Sequence, residues 1–305
     1  MTTAVLPLEN LRKVLLPITT PFSSEFIDLD ALRVNLERWT TAGICGYVVL
    51  GSTGERVHLD ESEYLRVIEA ARERVSTDHA FIAGAGQQST RGTINEIAKA
   101  AAAGADAVLV ITPGYYRSAI TQDTLIAYYK TVADAAPVPV LLYSMPALTG
   151  IKIEPETIAQ LSEHPNIVGV KDSSSDVFGF KRTVGLCPAE FAVMSGNGTV
   201  FLDALEAGAT GGILAVGCAV PEVCVEIFRL FKAGELEHAR ALQNKLTPLA
   251  AAVTTRFGIG GLKAALEMAG YRGGDVRAPL QPPSESARAE IATLLDDCRA
   301  HNDVP

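Results

Sequence analysis

The sequence predicts an α/β fold, a (β/α)8 TIM barrel with appended C-terminal helices. Three features carry that prediction: eight short apolar runs, their even spacing, and a strand-free tail. The runs fall at residues 14–18, 47–50, 81–84, 107–111, 138–143, 167–170, 191–194 and 212–216. They recur at roughly 20–35 residue intervals, room for a strand, a loop and a crossover helix. Near-continuous apolar runs suit parallel strands covered on both faces.

Between the strands lie amphipathic stretches such as 61–75, 90–103 and 121–135. Asp60 and Ser89 are suited to cap the first two, and Gly104 and Gly208 stand where helix ends need a left-handed residue. An open doubly wound sheet is the competing arrangement. The count of eight weighs against it. So does the one dinucleotide-like string, Gly84-Ala85-Gly86-Gln87-Gln88-Ser89, which lacks the third glycine. After residue 216 the pattern turns helical, over 221–233, 235–252, 262–269 and 284–299, the last after a Pro-Pro-Ser break. The expected division is a catalytic barrel over 1–234 and a C-terminal helical region over 235–305.

Composition narrows the functional classes. The 305 residues carry a formal charge of −9, with no Lys/Arg run, so a nucleic-acid partner is not expected. No apolar run nears the roughly 18 residues of a membrane helix. The N-terminus lacks the pattern of a secretory signal peptide. Five cysteines without CxxC pairing read as free thiols in a reducing cytoplasm. The five histidines show no ligand spacing, so no metal is expected.

In a parallel barrel the reacting groups sit at the C-terminal ends of strands. The second strand leads into Gly51-Ser52-Thr53-Gly54-Glu55, the fourth into Thr112-Pro113-Gly114-Tyr115-Tyr116-Arg117, the fifth ends on Tyr143, and the sixth ends on Lys171. Of nine lysines, only Lys171 terminates an apolar strand; the others fall on helix faces, near segment starts or within 151–153. Burying an ammonium is costly, which favours the neutral amine that attacks a ketone to form an iminium. A structural ion pair with Asp172 is the alternative. The Ser52-Thr53 turn offers hydroxyls and backbone N–H groups to a small carboxylate, or is a plain capped turn. Tyr143 offers a phenol for proton transfer, or is a core tyrosine. Arg117 and Asn197 are candidates for the distal end of a substrate, or structural.

The strings GSTGE, TPGYY, LYSMPALTG and VGVKDSSSD, in this order, resemble the dihydrodipicolinate synthase/N-acetylneuraminate lyase superfamily over about residues 12 to 300. Within it, YYR, LYSMPALTG, PNIVGVKDS and the C-terminal AVTTRFGIGGLK, GYRGG and RAPLQ resemble 4-hydroxy-2-oxoglutarate aldolase. The resemblance implies a class I, Schiff-base lyase acting on a small keto acid without a cofactor, the covalent iminium on Lys171 serving instead. It implies that Thr53 holds the pyruvyl carboxylate, that Ser52 joins a relay to Tyr143, and that Ser173 lies near the substrate's distal end. Tyr116 would reach a neighbouring subunit's site, which implies a homodimer or homotetramer. One departure bears on specificity. Dihydrodipicolinate synthases carry an arginine after the strand-five tyrosine, and hydroxyoxoglutarate aldolases an amide side chain; here Leu148 stands there. Loss of a guanidinium removes a charge-assisted contact to a second carboxylate.

The expected reaction is therefore cleavage of 4-hydroxy-2-oxoglutarate, or a similar 4-hydroxy-2-keto acid, to pyruvate and an aldehyde such as glyoxylate. The alternatives within the mechanism are dihydrodipicolinate synthase, joining pyruvate to aspartate semialdehyde, and another sugar-acid lyase or dehydratase. Outside it stand a catalytically silent keto-acid-binding protein and a metal-dependent aldolase.

Overall fold

The computed structural model describes residues 6–300. Residues 1–5, part of the segment read for a signal peptide, and His301 lie outside the described residues. Eight parallel strands close a barrel: β1 (Val14–Pro17), β2 (Gly46–Val49), β3 (Ala80–Ala85), β4 (Ala107–Ile111), β5 (Val140–Ser144), β6 (Ile167–Asp172), β7 (Ala192–Ser195) and β8 (Gly211–Ile213). Each strand pairs with the next in sequence, and β8 returns to β1. All eight expected strands are present, shifted by a residue or two at most ends. The last is shorter than expected, because the chain turns after Ile213 into a short 3-10 segment, Ala215–Cys218.

The helices are α1 (Leu29–Trp39), α2 (Glu61–Arg72), α3 (Thr90–Ala102), α4 (Gln122–Ala135), α5 (Pro155–Ser162), α6 (Val177–Leu186), α7 (Phe201–Glu206) and α8 (Pro221–Ala233). The tail adds α9 (Leu236–Ala251), α10 (Gly258–Met268) and α11 (Glu285–Arg299). Asp60 caps α2 in a reciprocal capping box with Glu63, and Ser89 caps α3. Gly104 and Gly208 take positive φ just past α3 and α7. A π-helical turn, Ala252–Arg256, follows α9, and α10 begins four residues before the expected stretch.

Two apolar layers follow from strand alternation. Leu15, Val48, Ile82, Leu109, Leu141, Tyr143, Met194 and Ile213 fill the barrel interior. The outer faces of the strands pack under the helices in one continuous core, which runs on to Leu246, Leu262 and Ile291 of the tail.

Alternation breaks once, and at a consequential place. Between β5 and β6 the register shifts, pairing Val140 with Ile167 but Leu141 with Gly169. A one-residue skip flips every later side chain to the other face. Beyond it Val170 joins the outer core, while Lys171 falls level with Tyr143, which belongs to the interior. Gly169 permits the close approach, because a Cβ there would lie 2.7 Å from Ala192 O.

Candidate active site

Lys171 is buried, 4% exposed, in the interior at the C-terminal end of β6. Its Nζ stands 4.6 Å from the centre of the Tyr143 ring. The ion-pair alternative is not what forms. Asp172, one residue on, points elsewhere and accepts from Ser174 N at 2.8 Å. Burial pushes the Asp172 carboxyl up, and the Ser174 N–H acts against it. Among the described residues, no carboxylate forms an ion pair with Lys171.

The turn after β2 supplies the hydroxyls. Leu50 at the strand's end takes a left-handed φ of 58°, an uncommon conformation for a bulky side chain. Gly84 makes it possible: a Cβ at that position would lie 2.1 Å from Leu50 O. Ser52, Thr53 and Gly54 then form one 3-10 turn, with Thr53 buried and Thr20 Oγ1 donating to Gly54 O at 2.8 Å. The N–H groups of Gly54 and Glu55 close the turn onto Gly51 and Ser52, so Ser52 and Thr53 hold its remaining donors. Ser52 Oγ lies 3.3 Å from Tyr143 OH. Lysine, phenol and hydroxyl turn thus converge from three strands.

The other expected residues divide. Ser173 reaches the site: a Cβ at Gly196 would lie 2.0 Å from Ser173 Oγ and 2.8 Å from Lys171 Cε, so both side chains crowd that glycine. Asn197 is committed locally, its Oδ1 accepting from Thr199 N at 3.0 Å and Thr199 Oγ1 at 2.8 Å. Arg117 is exposed, donates to Gly114 O at 3.3 Å and lies against Gly150. Tyr116 is 71% exposed, beside Tyr115 at 76%, with the two rings edge to face at 5.0 Å. Leu148 is 60% exposed on a one-turn helix, Pro146–Thr149, that Thr112 anchors through Thr149 Oγ1 at 3.0 Å.

Three residues went unassigned in the sequence. Gly196 sits in SGNGT beside Asn197, and nothing local marks it as the space that Lys171 occupies. Glu55 closes GSTGE, and Lys263 was placed on a helix face. In the structure both are buried, 2% exposed, and Lys263 Nζ lies 2.5 Å from Glu55 Oε1. The signal for Lys263 was its setting in a largely apolar stretch, GGLKAALEMA, where a buried charge needs a partner.

No helix among the described residues is long and apolar enough to cross a membrane. Comparison with known proteins fits the geometry. The Dihydrodipicolinate synthetase family matches residues 10–298. A relative named 4-hydroxy-tetrahydrodipicolinate synthase, from Macrococcus caseolyticus, is 34% identical over 94% of this chain and 96% of its own. Among solved structures, a monomeric dihydrodipicolinate synthase variant superposes with a TM-score of 0.91 at 31% identity, covering 95% of this chain and 98% of its own. A prophage protein of the dihydrodipicolinic acid synthase family from E. coli K12, solved with pyruvate, gives 0.87 at 28% identity over 94% and 98%. With a buried strand-end lysine in a closed barrel of this topology, the chain belongs to the dihydrodipicolinate synthetase family and is a class I, pyruvate-dependent lyase of it.

Proposed function

We propose that the chain makes and breaks the bond between C3 of pyruvate and an aldehyde carbon through an iminium on Lys171. The observation that carries this is the buried Lys171 Nζ over Tyr143, whose hydroxyl meets Ser52. The neutral amine adds to the keto carbon of pyruvate, and loss of water leaves the iminium. Loss of a C3 proton gives an enamine, whose carbon adds to the aldehyde. Tyr143, relayed through Ser52, delivers a proton to the oxygen that becomes a hydroxyl and removes it in the reverse direction. Thr53 and the turn's N–H groups hold the pyruvyl carboxylate. The iminium is itself the electron sink, so this reading needs no cofactor.

The aldehyde we favour is aspartate semialdehyde, because relatives spanning nearly the whole chain are named 4-hydroxy-tetrahydrodipicolinate synthase. One observation favours a second reading, cleavage of 4-hydroxy-2-oxoglutarate. Leu148 leaves no guanidinium on the turn after Tyr143 for the semialdehyde's carboxylate.

Two measurements test this. Borohydride reduction with pyruvate is expected to leave a mass adduct on Lys171, and its absence would end the iminium reading. Side-by-side turnover of pyruvate plus aspartate semialdehyde and of 4-hydroxy-2-oxoglutarate then decides between the readings by the larger kcat/KM. We also propose a homo-oligomeric cytoplasmic protein, with exposed Tyr116 at a subunit contact; sedimentation of a Tyr116→Ala variant checks the contact.

A further inference from the structure

The hydroxyl turn leaves the site through two charged residues in succession, and each is gripped by an opposite charge from a distant element. Glu55, with a left-handed φ of 54°, turns its carboxylate inward. One oxygen meets Lys263 Nζ of α10 at 2.5 Å in a buried ion pair. The other accepts from Arg277 N at 3.0 Å and lies 3.3 Å from His58 Nδ1. Lys263 also donates to Asp275 O at 2.5 Å and stands 4.5 Å from the centre of the Phe22 ring. The next residue, Arg56, pairs with Glu96 of α3, whose carboxylate also accepts from Gly86 N at 2.8 Å and Gln87 Nε2 at 2.9 Å.

Stability alone accounts poorly for this arrangement. A buried ion pair is often no better for stability than apolar residues of the same size, but it is directional and fixes where its members sit. Helix α2, the next element, has its own capping box and does not need the pair to begin. The pair lies two residues from Thr53, where the backbone is already in a strained region. Burial lowers the pKa of Lys263, and the charge of Glu55 opposes that shift.

We propose that Lys263 is a positioning residue for the pyruvate step: through Glu55, with Arg56–Glu96 as a second tether, it fixes Ser52 and Thr53 where the pyruvyl carboxylate binds. The C-terminal helices are then part of the active-site scaffold. This rests on the iminium reading above.

The test is borohydride trapping on Lys171 across pyruvate concentrations, read by mass, with pyruvate KM, kcat and thermal unfolding alongside. The variants are Glu55→Asp, Lys263→Met and the double variant E55Q/K263M. Glu55→Asp keeps both charges and shortens the reach by one methylene. Displacing the turn by a fraction of an ångström is expected to raise the half-saturating pyruvate concentration about 10–100-fold, with kcat changed far less. The double variant removes both charges; it is expected to recover thermal stability relative to Lys263→Met but not pyruvate affinity. If Lys263→Met does not fold, Glu55→Asp decides. Wild-type half-saturation in folded Glu55→Asp overturns the positioning role. Absence of an adduct in the wild type instead removes the iminium reading, and this inference with it.

Discussion

The hydroxyls of Ser52 and Tyr143, 91 residues apart in sequence, meet at 3.3 Å at the C-terminal end of the barrel. The same tyrosine ring lies under Lys171 Nζ. One tyrosine thus meets both the amine proposed to form the iminium and the hydroxyl proposed to lead a proton away.

Tyr143→Phe keeps the ring under Lys171 and removes only the proton path. Its kcat is expected to fall about 10²–10⁴-fold, the usual worth of a positioned general acid or base. Borohydride trapping at saturating pyruvate is expected to persist, though formed more slowly. Stopped-flow turnover with parallel mass analysis checks both; unchanged kcat would remove Tyr143 from the proton path.

Gly196→Ala fills space that two site side chains already occupy. The new Cβ would lie 2.8 Å from Lys171 Cε and 2.0 Å from Ser173 Oγ. Such overpacking costs about 1–3 kcal/mol, so the fold is expected to survive with a lowered Tm. The larger effect is expected on the rate of adduct formation on Lys171. A variant that traps pyruvate at the wild-type rate would show that Lys171 does not need this space.

Leu148→Arg restores a guanidinium on an exposed turn beside the site. A charge-assisted hydrogen bond is worth about 1.5–3 kcal/mol, or roughly 10–150-fold. The ratio of kcat/KM for aspartate semialdehyde condensation over hydroxyoxoglutarate cleavage is expected to rise by that factor. An unchanged ratio would place the second carboxylate elsewhere.

Arg277 ties the tail to α2 through Glu63, at 2.6 Å. That hydrogen bond holds the Glu63 carboxyl below its ordinary value of 4.5, with burial opposing and the Asp60 N–H assisting. A lowered folded-state pKa contributes stability above the unfolded value and loses it as pH falls through the folded one. Glu63→Gln is therefore expected to be less stable than the wild type by about 1–3 kcal/mol at pH 7. The gap should close as pH drops below 4.5. Thermal unfolding of both proteins from pH 7 to pH 3 checks the sign; a gap that widens in acid would contradict it.

Much of the architecture was legible because it rests on local pattern. The apolar runs marked all eight strands, and Asp60 and Ser89 marked helix starts through hydrogen bonds made within four residues. Helices α1, α5, α6 and α7, and the two-stranded ribbon of Phe22–Ser23 with Phe26–Ile27, were not singled out; α7 and the ribbon are too brief to show a period. Asn197 and Arg117 were candidates for the distal end of a substrate, or structural, because both follow strands. In the structure Asn197 bonds to Thr199, while exposed Arg117 donates through Nε to Gly114 O.

The sequence by itself determined the barrel, its catalytic end and the residue types gathered there, because strand alternation and strand-end position are properties of short stretches of chain. It could not decide which way Lys171 faces. That depends on a register shift between β5 and β6, which moves the lysine level with Tyr143. Nor could it pair Glu55 with Lys263, 208 residues later (263 − 55). Both depend on which groups a closed barrel brings together, and a buried charge finds its partner only once the fold has excluded water around it.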